Sequence, residues 1–221
     1  MFFKILFIIL AYLIGSIPFG FLFGKMKGID IRTVGSKNIG ATNTGRILGK
    51  KYAVLTYLLD MLKGAIFVVL FRFSILPHEW CVLSPMLYGF IAVVGHTFPI
   101  YLKFKGGKSV ACSSGAVCGY FPLLLPLLLI SFTIVKKISK LVSLASLIST
   151  FVAFIAILIL SLATHQFLYA IDGVFYNPDY NFWPFNMWYV IFAFCCSFII
   201  FIRHSSNIKR IINHTENPSG Y

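Results

Sequence analysis

The stretch SVACSSGAVCGYFPLLLPLLLISFTIV, residues 109–135, decides how the chain is organised. It is 27 residues long, which would make about 40 Å of helix at 1.5 Å per residue. A hydrocarbon core is about 30 Å thick. The stretch is therefore too long for one upright span and too short for two complete ones. Gly119, Pro122 and Pro126 interrupt it, and a proline inside a helix removes a hydrogen bond and clashes with the preceding turn. The expectation is a hairpin of two short helices, 109–119 and 121–135. Their ends need protein or a water-filled cavity around them, because lipid offers no partner to free backbone groups.

The flanking charges agree. Lys103, Lys105 and Lys108 precede the stretch, and Lys136, Lys137 and Lys140 follow it. Cations gather on the cytoplasmic side of a membrane protein, so the chain between the two clusters crosses an even number of times. Working outward, five further apolar runs read as spans: 2–24, 53–73, 81–99, 141–163 and 187–202. Lys25, Lys27, Arg32, Lys37, Arg46, Lys50 and Lys51 fall after the first, and Arg203, Lys209 and Arg210 after the last. With the hairpin clusters, these are 16 of the 19 Lys and Arg residues. Placing them together puts the N-terminus outside and the C-terminus inside. The segment 164–186 has no Lys or Arg and carries Tyr169, Tyr176, Tyr180 and Trp183, which suits an external segment with interfacial aromatics.

The expected fold is thus all-α: an integral membrane protein of seven transmembrane helical segments forming one domain over 1–221. Composition excludes the other classes. Of the 221 residues, 59% are apolar and 11% charged, against about 25% charged in a soluble domain, and mean hydropathy is +0.89. The net charge of +13 would suggest nucleic acid on a soluble domain. Here positive-inside topology explains most of it and an anionic substrate the remainder. Cys81, Cys112, Cys118, Cys195 and Cys196 lack metal-ligand spacing and read as apolar filler. The first apolar run is too long for a signal-peptide core and reads as a retained span.

The inner loops carry the chemistry. Segment 35–46, Gly-Ser-Lys-Asn-Ile-Gly-Ala-Thr-Asn-Thr-Gly-Arg, combines glycines, hydroxyls and amides with an arginine. Such a loop brings backbone N–H groups close to an oxyanion. Thr42 or Asn43 is placed to cap a short helix carrying Arg46, whose guanidinium fork matches phosphate. Its plain alternative is a flexible polar loop. Segment 95–109 contains Lys105-Gly106-Gly107-Lys108-Ser109, which lacks the spacing of a nucleotide-hydrolysing P-loop; the alternative is a basic cluster for anionic headgroups. Ser143 and Ser146 share a helix face at i, i+3. His204 and Asn207 do the same in the tail. Asp60 and Lys63, inside a span, read as a structural ion pair before catalysis.

Taken together, these motifs are similar to those of one family. Gly-Ser-x-Asn-Ile-Gly-Ala-Thr-Asn-x-x-Arg (35–46), Asp-x-x-Lys-Gly (60–64), Gly-His-x-x-Pro with Phe-Lys-Gly-Gly-Lys (95–108), Val-Ser-Leu-Ala-Ser (142–146) and Arg-His-x-x-Asn-Ile-x-Arg (203–210) occur in this order. The chain resembles the acyl-phosphate:glycerol-3-phosphate acyltransferases, the PlsY family. The resemblance implies a multi-pass enzyme of the bacterial inner membrane. It would move a fatty acyl group from acyl phosphate to the 1-hydroxyl of glycerol 3-phosphate, giving lysophosphatidic acid and inorganic phosphate. It implies no metal, no cofactor, and no acyl-CoA or acyl carrier protein. By the same resemblance Ser36, Arg46, Lys108, His204 and Asn207 are the catalytic candidates. The substrate phosphates fall to Ser36, Arg46, Lys105, Gly106, Gly107, Lys108, Ser146 and Asn207, with backbone N–H groups of 35–40 and 106–107 assisting. Asn38, Thr42, Asn43, His96 and Ser143 are secondary candidates. Lys37 and Ser109 stand where the family usually has glycine, His214 replaces a common tail glycine before Glu216, and the 164–186 loop is longer than usual.

The proton acceptor stays open among His96, His204 and the substrate's own phosphate, whose second pKa is about 6; the substrate-assisted route is favoured. Two other classes compete. A transporter for an organic phosphate would use similar broken helices, but no inverted repeat is present. A lipid-binding membrane protein without activity does not explain four separate inner segments rich in His, Ser, Asn, Arg and Lys.

Overall fold

The computed structural model describes residues 1–167 and 187–218. The chain forms α1 (Phe2–Gly15), α2 (Phe19–Met26), α3 (Ala41–Leu48), α4 (Lys50–Arg72), α5 (Pro85–Thr97), α6 (Val110–Tyr120), α7 (Leu124–Ser139), α8 (Val142–Phe167), α9 (Met187–Arg203) and α10 (Ser205–Ile212). There is no strand among the described residues. The expected segments correspond to α1 with α2, then α4, α5, α6, α7, α8 and α9. Helix α3 is the short helix carrying Arg46 that the 35–46 segment leads one to expect, and α10 is a short helix in the basic tail. The aromatic external segment lies outside the described residues for nearly all its length.

Among the described residues, 3 helices are long and apolar enough to cross a membrane alone: Lys50–Arg72, Pro85–Leu102 and Val142–Ala163. Two bent pairs pass the same test together, α1 with α2 at 44° and α9 with α10 at 58°. The first span is therefore broken, where one helix over 2–24 was expected. Pro18 has no N–H to continue the ladder, and at the break the carbonyl of Ile17 accepts a hydrogen bond from Lys63 Nζ at 2.7 Å.

The 109–135 stretch divides as expected, with Pro122 in the turn. Pro126 falls in the first turn of α7, where a backbone N–H would lack a helical partner anyway. The two limbs face different surroundings. Helix α6 is buried from Cys112 to Tyr120 and sits against α4. Their backbones approach closely: a Cβ on Gly64 would strike the Cys112 carbonyl, and one on Gly115 the Met61 carbonyl. Close contact through small residues is how membrane helices associate without a hydrophobic driving force. Helix α7 lies along α8, with Ser149 Oγ donating to Leu128 O at 3.2 Å, and turns Leu129, Ile130, Ile134 and Ile138 outward. The short limb is thus enclosed by protein, while the longer limb presents its apolar face outward. Phe151, Ile159, Phe194 and Phe198 are also exposed, as lipid-facing residues should be. Val68, Met86, Ala116, Tyr120, Ile157 and Tyr189 centre the core, where Tyr189 donates to Val117 O at 3.0 Å.

Candidate active site

Four chain segments converge on one pocket of about 150 Å³. From the first loop and α3 come Ser36, Asn38, Gly40, Ala41, Thr42 and Arg46. The 95–109 segment supplies His96, Lys108 and Ser109; the start of α8, Ser143 and Ser146; the tail, His204, Asn207, Arg210, Glu216 and Asn217. Tyr57 and Asp60 of α4 complete the wall, with Val110, Ala111, Phe132 and Val142.

Gly40 is the N-cap of α3 and makes no side-chain cap bond; the helix begins at the pocket wall, an end that favours anions. Asn43 is not the cap that was anticipated. It is fully buried within α3. Its Oδ1 accepts from Ser36 N–H at 2.8 Å, and its Nδ2 donates to Ile31 O at 2.9 Å and Val34 O at 3.2 Å. It shapes the loop from behind. Arg46 lies in the last turn of α3 and donates to Pro218 O at 3.2 Å.

The Gly106–Gly107 amides are also committed elsewhere. Gly106 N–H donates to Thr97 O at 3.2 Å and Gly107 N–H to His96 O at 3.1 Å. Arg203 donates to their carbonyls, Nε to Gly107 O at 3.2 Å and Nη2 to Gly106 O at 2.9 Å. The diglycine is thus a braced strut that delivers Lys108, rather than a ring of amides open to an anion. Lys105 is exposed and does not line the pocket. Lys37 and Ser109 both have left-handed backbones, φ +58° and +62°, a conformation costing about 1–2 kcal/mol for residues other than glycine. Ser109 offsets this with a 2.5 Å hydrogen bond to Thr97 Oγ1 and one to Val93 O at 3.3 Å.

Lys108 Nζ donates to Asn207 Oδ1 at 2.6 Å. Asn207 Nδ2 donates to Glu216 Oε1 at 2.6 Å, so opposite partners orient the amide. Glu216 also accepts from Ser143 Oγ at 2.8 Å and Arg210 Nε at 2.7 Å. Burial pushes Lys108 down to about 8; Glu216 opposes this, while Arg210, Arg46 and Arg203 add to it. Burial opposes the charge on Glu216, yet its hydrogen bonds from Asn207, Ser143 and Arg210 outweigh that and hold it below the usual carboxylate range. His204 Nδ1 lies 2.8 Å from Ile200 O. A carbonyl only accepts, so Nδ1 carries the proton and a neutral ring has its lone pair on Nε2. Ser146 Oγ donates to Val142 O at 2.9 Å.

Sequence reasoning did not place Asp60, Tyr57, Arg210 or Glu216 in the pocket. Asp30 lies outside it, its carboxyl drawn down to about 2 by hydrogen bonds from Arg32. Tyr57, Val110 and Phe132 also line a groove of about 360 Å³. Val117, Leu128, Leu129, Phe154, Ile157 and Ala193 line it, with several Ser and Thr residues. The arrangement can hold an anionic head group and an attached hydrocarbon chain together.

The profile of the glycerol-3-phosphate acyltransferase family matches residues 5–214. The chain belongs to the glycerol-3-phosphate acyltransferase family. The Geobacillus kaustophilus glycerol-3-phosphate acyltransferase is 41% identical over 213 residues, covering 96% of this chain and 93% of its own. The Bacillus subtilis enzyme is 40% identical over 212 residues, covering 96% and 95%. Two solved structures of PlsY (YgiH), an integral membrane glycerol 3-phosphate acyltransferase, share the fold. The glycerol 3-phosphate form has a TM-score of 0.80 at 33% identity, covering 98% of this chain and 96% of that one. The lysophosphatidic acid form has a TM-score of 0.77 at 32% identity, covering 97% and 94%. Residues of the 35–46, 95–108, 142–146 and 203–210 segments meet in the pocket described above.

Proposed function

We propose that the protein transfers a fatty acyl group from acyl phosphate to the 1-hydroxyl of glycerol 3-phosphate in the inner membrane of a bacterium. The products are lysophosphatidic acid and inorganic phosphate. One observation carries the reading: a cationic chamber holding Arg46, Lys108 and the α3 N-terminus shares the wall residues Tyr57, Val110 and Phe132 with an apolar groove. Phosphate groups belong in the chamber and the acyl chain in the groove. The relatives' activity supports the acceptor, and the two PlsY forms support both acceptor and product. The inner clustering of cations supports a chamber open to the cytoplasm.

Arg46 and Lys108 neutralise the phosphates, assisted by Ser36, Ser146 and Asn207. The acceptor hydroxyl oxygen attacks the acyl carbonyl carbon. The new ester bond forms, the bond from that carbon to the phosphate oxygen breaks, and the electron pair leaves with phosphate. The hydroxyl proton passes to a phosphate oxygen held beside it, so no metal or carrier enters the balance. Cations near the carbonyl oxygen stabilise the charge that develops there. A second route for the proton rests on the His204 Nε2 lone pair, which its Nδ1 bond to Ile200 O leaves available. The test is a donor exchange. Purified protein with glycerol 3-phosphate should form lysophosphatidic acid from palmitoyl phosphate and none from palmitoyl-CoA or palmitoyl-acyl carrier protein. Turnover only with a thioester would overturn the assignment of the donor.

A further inference from the structure

His96 is buried on α5 beneath the strut that carries Lys108. Its ring occupies the space where a side chain on Gly107 would project. Nε2 is the nearest atom to that point, followed by Cδ2 at 3.1 Å and Cε1 at 3.2 Å. The same residue's carbonyl accepts from Gly107 N–H at 3.1 Å. On the other side of the ring, Nδ1 faces Asp60 Oδ1 at 3.6 Å. Asp60 is paired at 2.6 Å with Lys63, and Lys63 is anchored on the Ile17 carbonyl at the break in the first span. A chain of contacts therefore runs from that break through the buried ion pair and the imidazole to the backbone immediately before Lys108. We propose that His96 is a positioning residue for Lys108: its ring, backed by Asp60, is the seat that fixes the height of Gly107 and so the reach of the ammonium into the chamber. The proposal rests on reading that chamber as the substrate-phosphate site.

The adjacent glycine supplies the contrast. A Cβ on Gly106 would meet the carbonyls of His96 and Thr97 and the Pro99 ring, none of which a shorter side chain at position 96 would remove. Around Gly107, the three nearest atoms all belong to the His96 ring. Neither glycine has a left-handed backbone, so alanine is strained at these positions only by what it touches. A seat makes the two glycines respond differently to loss of the imidazole.

The experiment uses the full chain, purified, with glycerol 3-phosphate kinetics and melting temperature measured for each variant. Gly107→Ala should raise KM for glycerol 3-phosphate at least tenfold, since small displacements of a catalytic group are costly. The melting temperature should change little. Gly107→Ala combined with His96→Ala should be no worse than His96→Ala alone. Gly106→Ala combined with His96→Ala should show the two defects multiplied. If the Gly107→Ala defect multiplies in full with that of His96→Ala, the seat does not exist. Should His96→Ala not fold, His96→Asn withdraws the Nε2 and Cε1 positions while keeping a polar group opposite Asp60; the same relief is expected, and its absence is equally decisive. Lys108→Ala separates the two levels. If it binds glycerol 3-phosphate as the unaltered protein does, the phosphate reading falls. If it loses binding while Gly107→Ala is not relieved, only the seat falls.

Discussion

Lys108 gives the pocket a pH dependence whose size follows from its surroundings. Burial lowers its ammonium to about 8 despite the opposing carboxylate of Glu216. A lysine with a lowered pKa is charged below that value and neutral above it. Phosphate affinity is therefore full at neutral pH and declines as pH rises through 8. At pH 7 about nine-tenths of the free protein carries the charge and at pH 9 about one-tenth, a tenfold loss equal to about 1.4 kcal/mol. Glycerol 3-phosphate does not contribute, because its second phosphate ionisation near 6 is complete before this window. A bound dianion favours the ammonium, so the decline belongs to kcat/KM and moves to higher pH in kcat. The assay is kcat/KM for glycerol 3-phosphate between pH 6.5 and 9.5 in the unaltered protein and in Lys108→Arg. Arginine stays protonated throughout, so this variant should lose the alkaline decline near pH 8 even if its overall activity is lower. A decline near pH 8 that survives unchanged in Lys108→Arg would refute the reasoning.

Three other outcomes are expected. Arg46→Lys keeps the charge but loses the planar fork, and should raise KM for one phosphate substrate about tenfold; an unchanged KM in Arg46→Ala would remove Arg46 from the site. Asp60→Asn leaves the Lys63 ammonium buried without its partner, and should destabilise the fold by about 3–5 kcal/mol in denaturation of the purified protein; a loss under about 1 kcal/mol would show that the pair is not coupled as drawn. Single cysteines at Lys37, Lys105 and Lys137, in an otherwise cysteine-free chain, should react with an impermeant thiol reagent only from the cytoplasmic face; reaction at position 137 from outside would break the parity of the α6–α7 pair.

Charge parity and two prolines were enough to divide 109–135 into α6 and α7, since both signals are local in the sequence. What each limb packs against was not legible. The burial of α6 depends on Gly64 and Gly115 meeting carbonyls on the opposite helix, and pairing across some fifty residues leaves no periodic trace in either segment. The break at Pro18 was visible as a proline, but its Lys63 partner was not. The site shows the same division. Residues with distinctive chemistry, Arg46, Lys108, His204 and Asn207, came together as the motifs implied. The glycines misled where composition was read as geometry. Gly106 and Gly107 permit close approach as expected, but what approaches is His96 and Thr97 from their own chain. Asn43 has the chemistry of a phosphate ligand and serves instead to fold the 31–36 loop. Glu216 gave only a weak signal, a lone acid near the end of a basic tail; Asn207 and Arg210 bind it from the adjoining α10, and the bond from Ser143 forms only when α8 lies beside the tail.

If acyl transfer takes place in the chamber of Arg46 and Lys108, both cations are needed for it. The most direct measurement is the initial rate of joint lysophosphatidic acid and phosphate formation from palmitoyl phosphate and glycerol 3-phosphate, in the purified protein and in Arg46→Ala and Lys108→Ala. Equal molar release of the two products is expected from the unaltered protein, with a fall of about a hundredfold or more in each variant at matched folding. Unaltered rates in both variants, or phosphate release without lysophosphatidic acid, would contradict it.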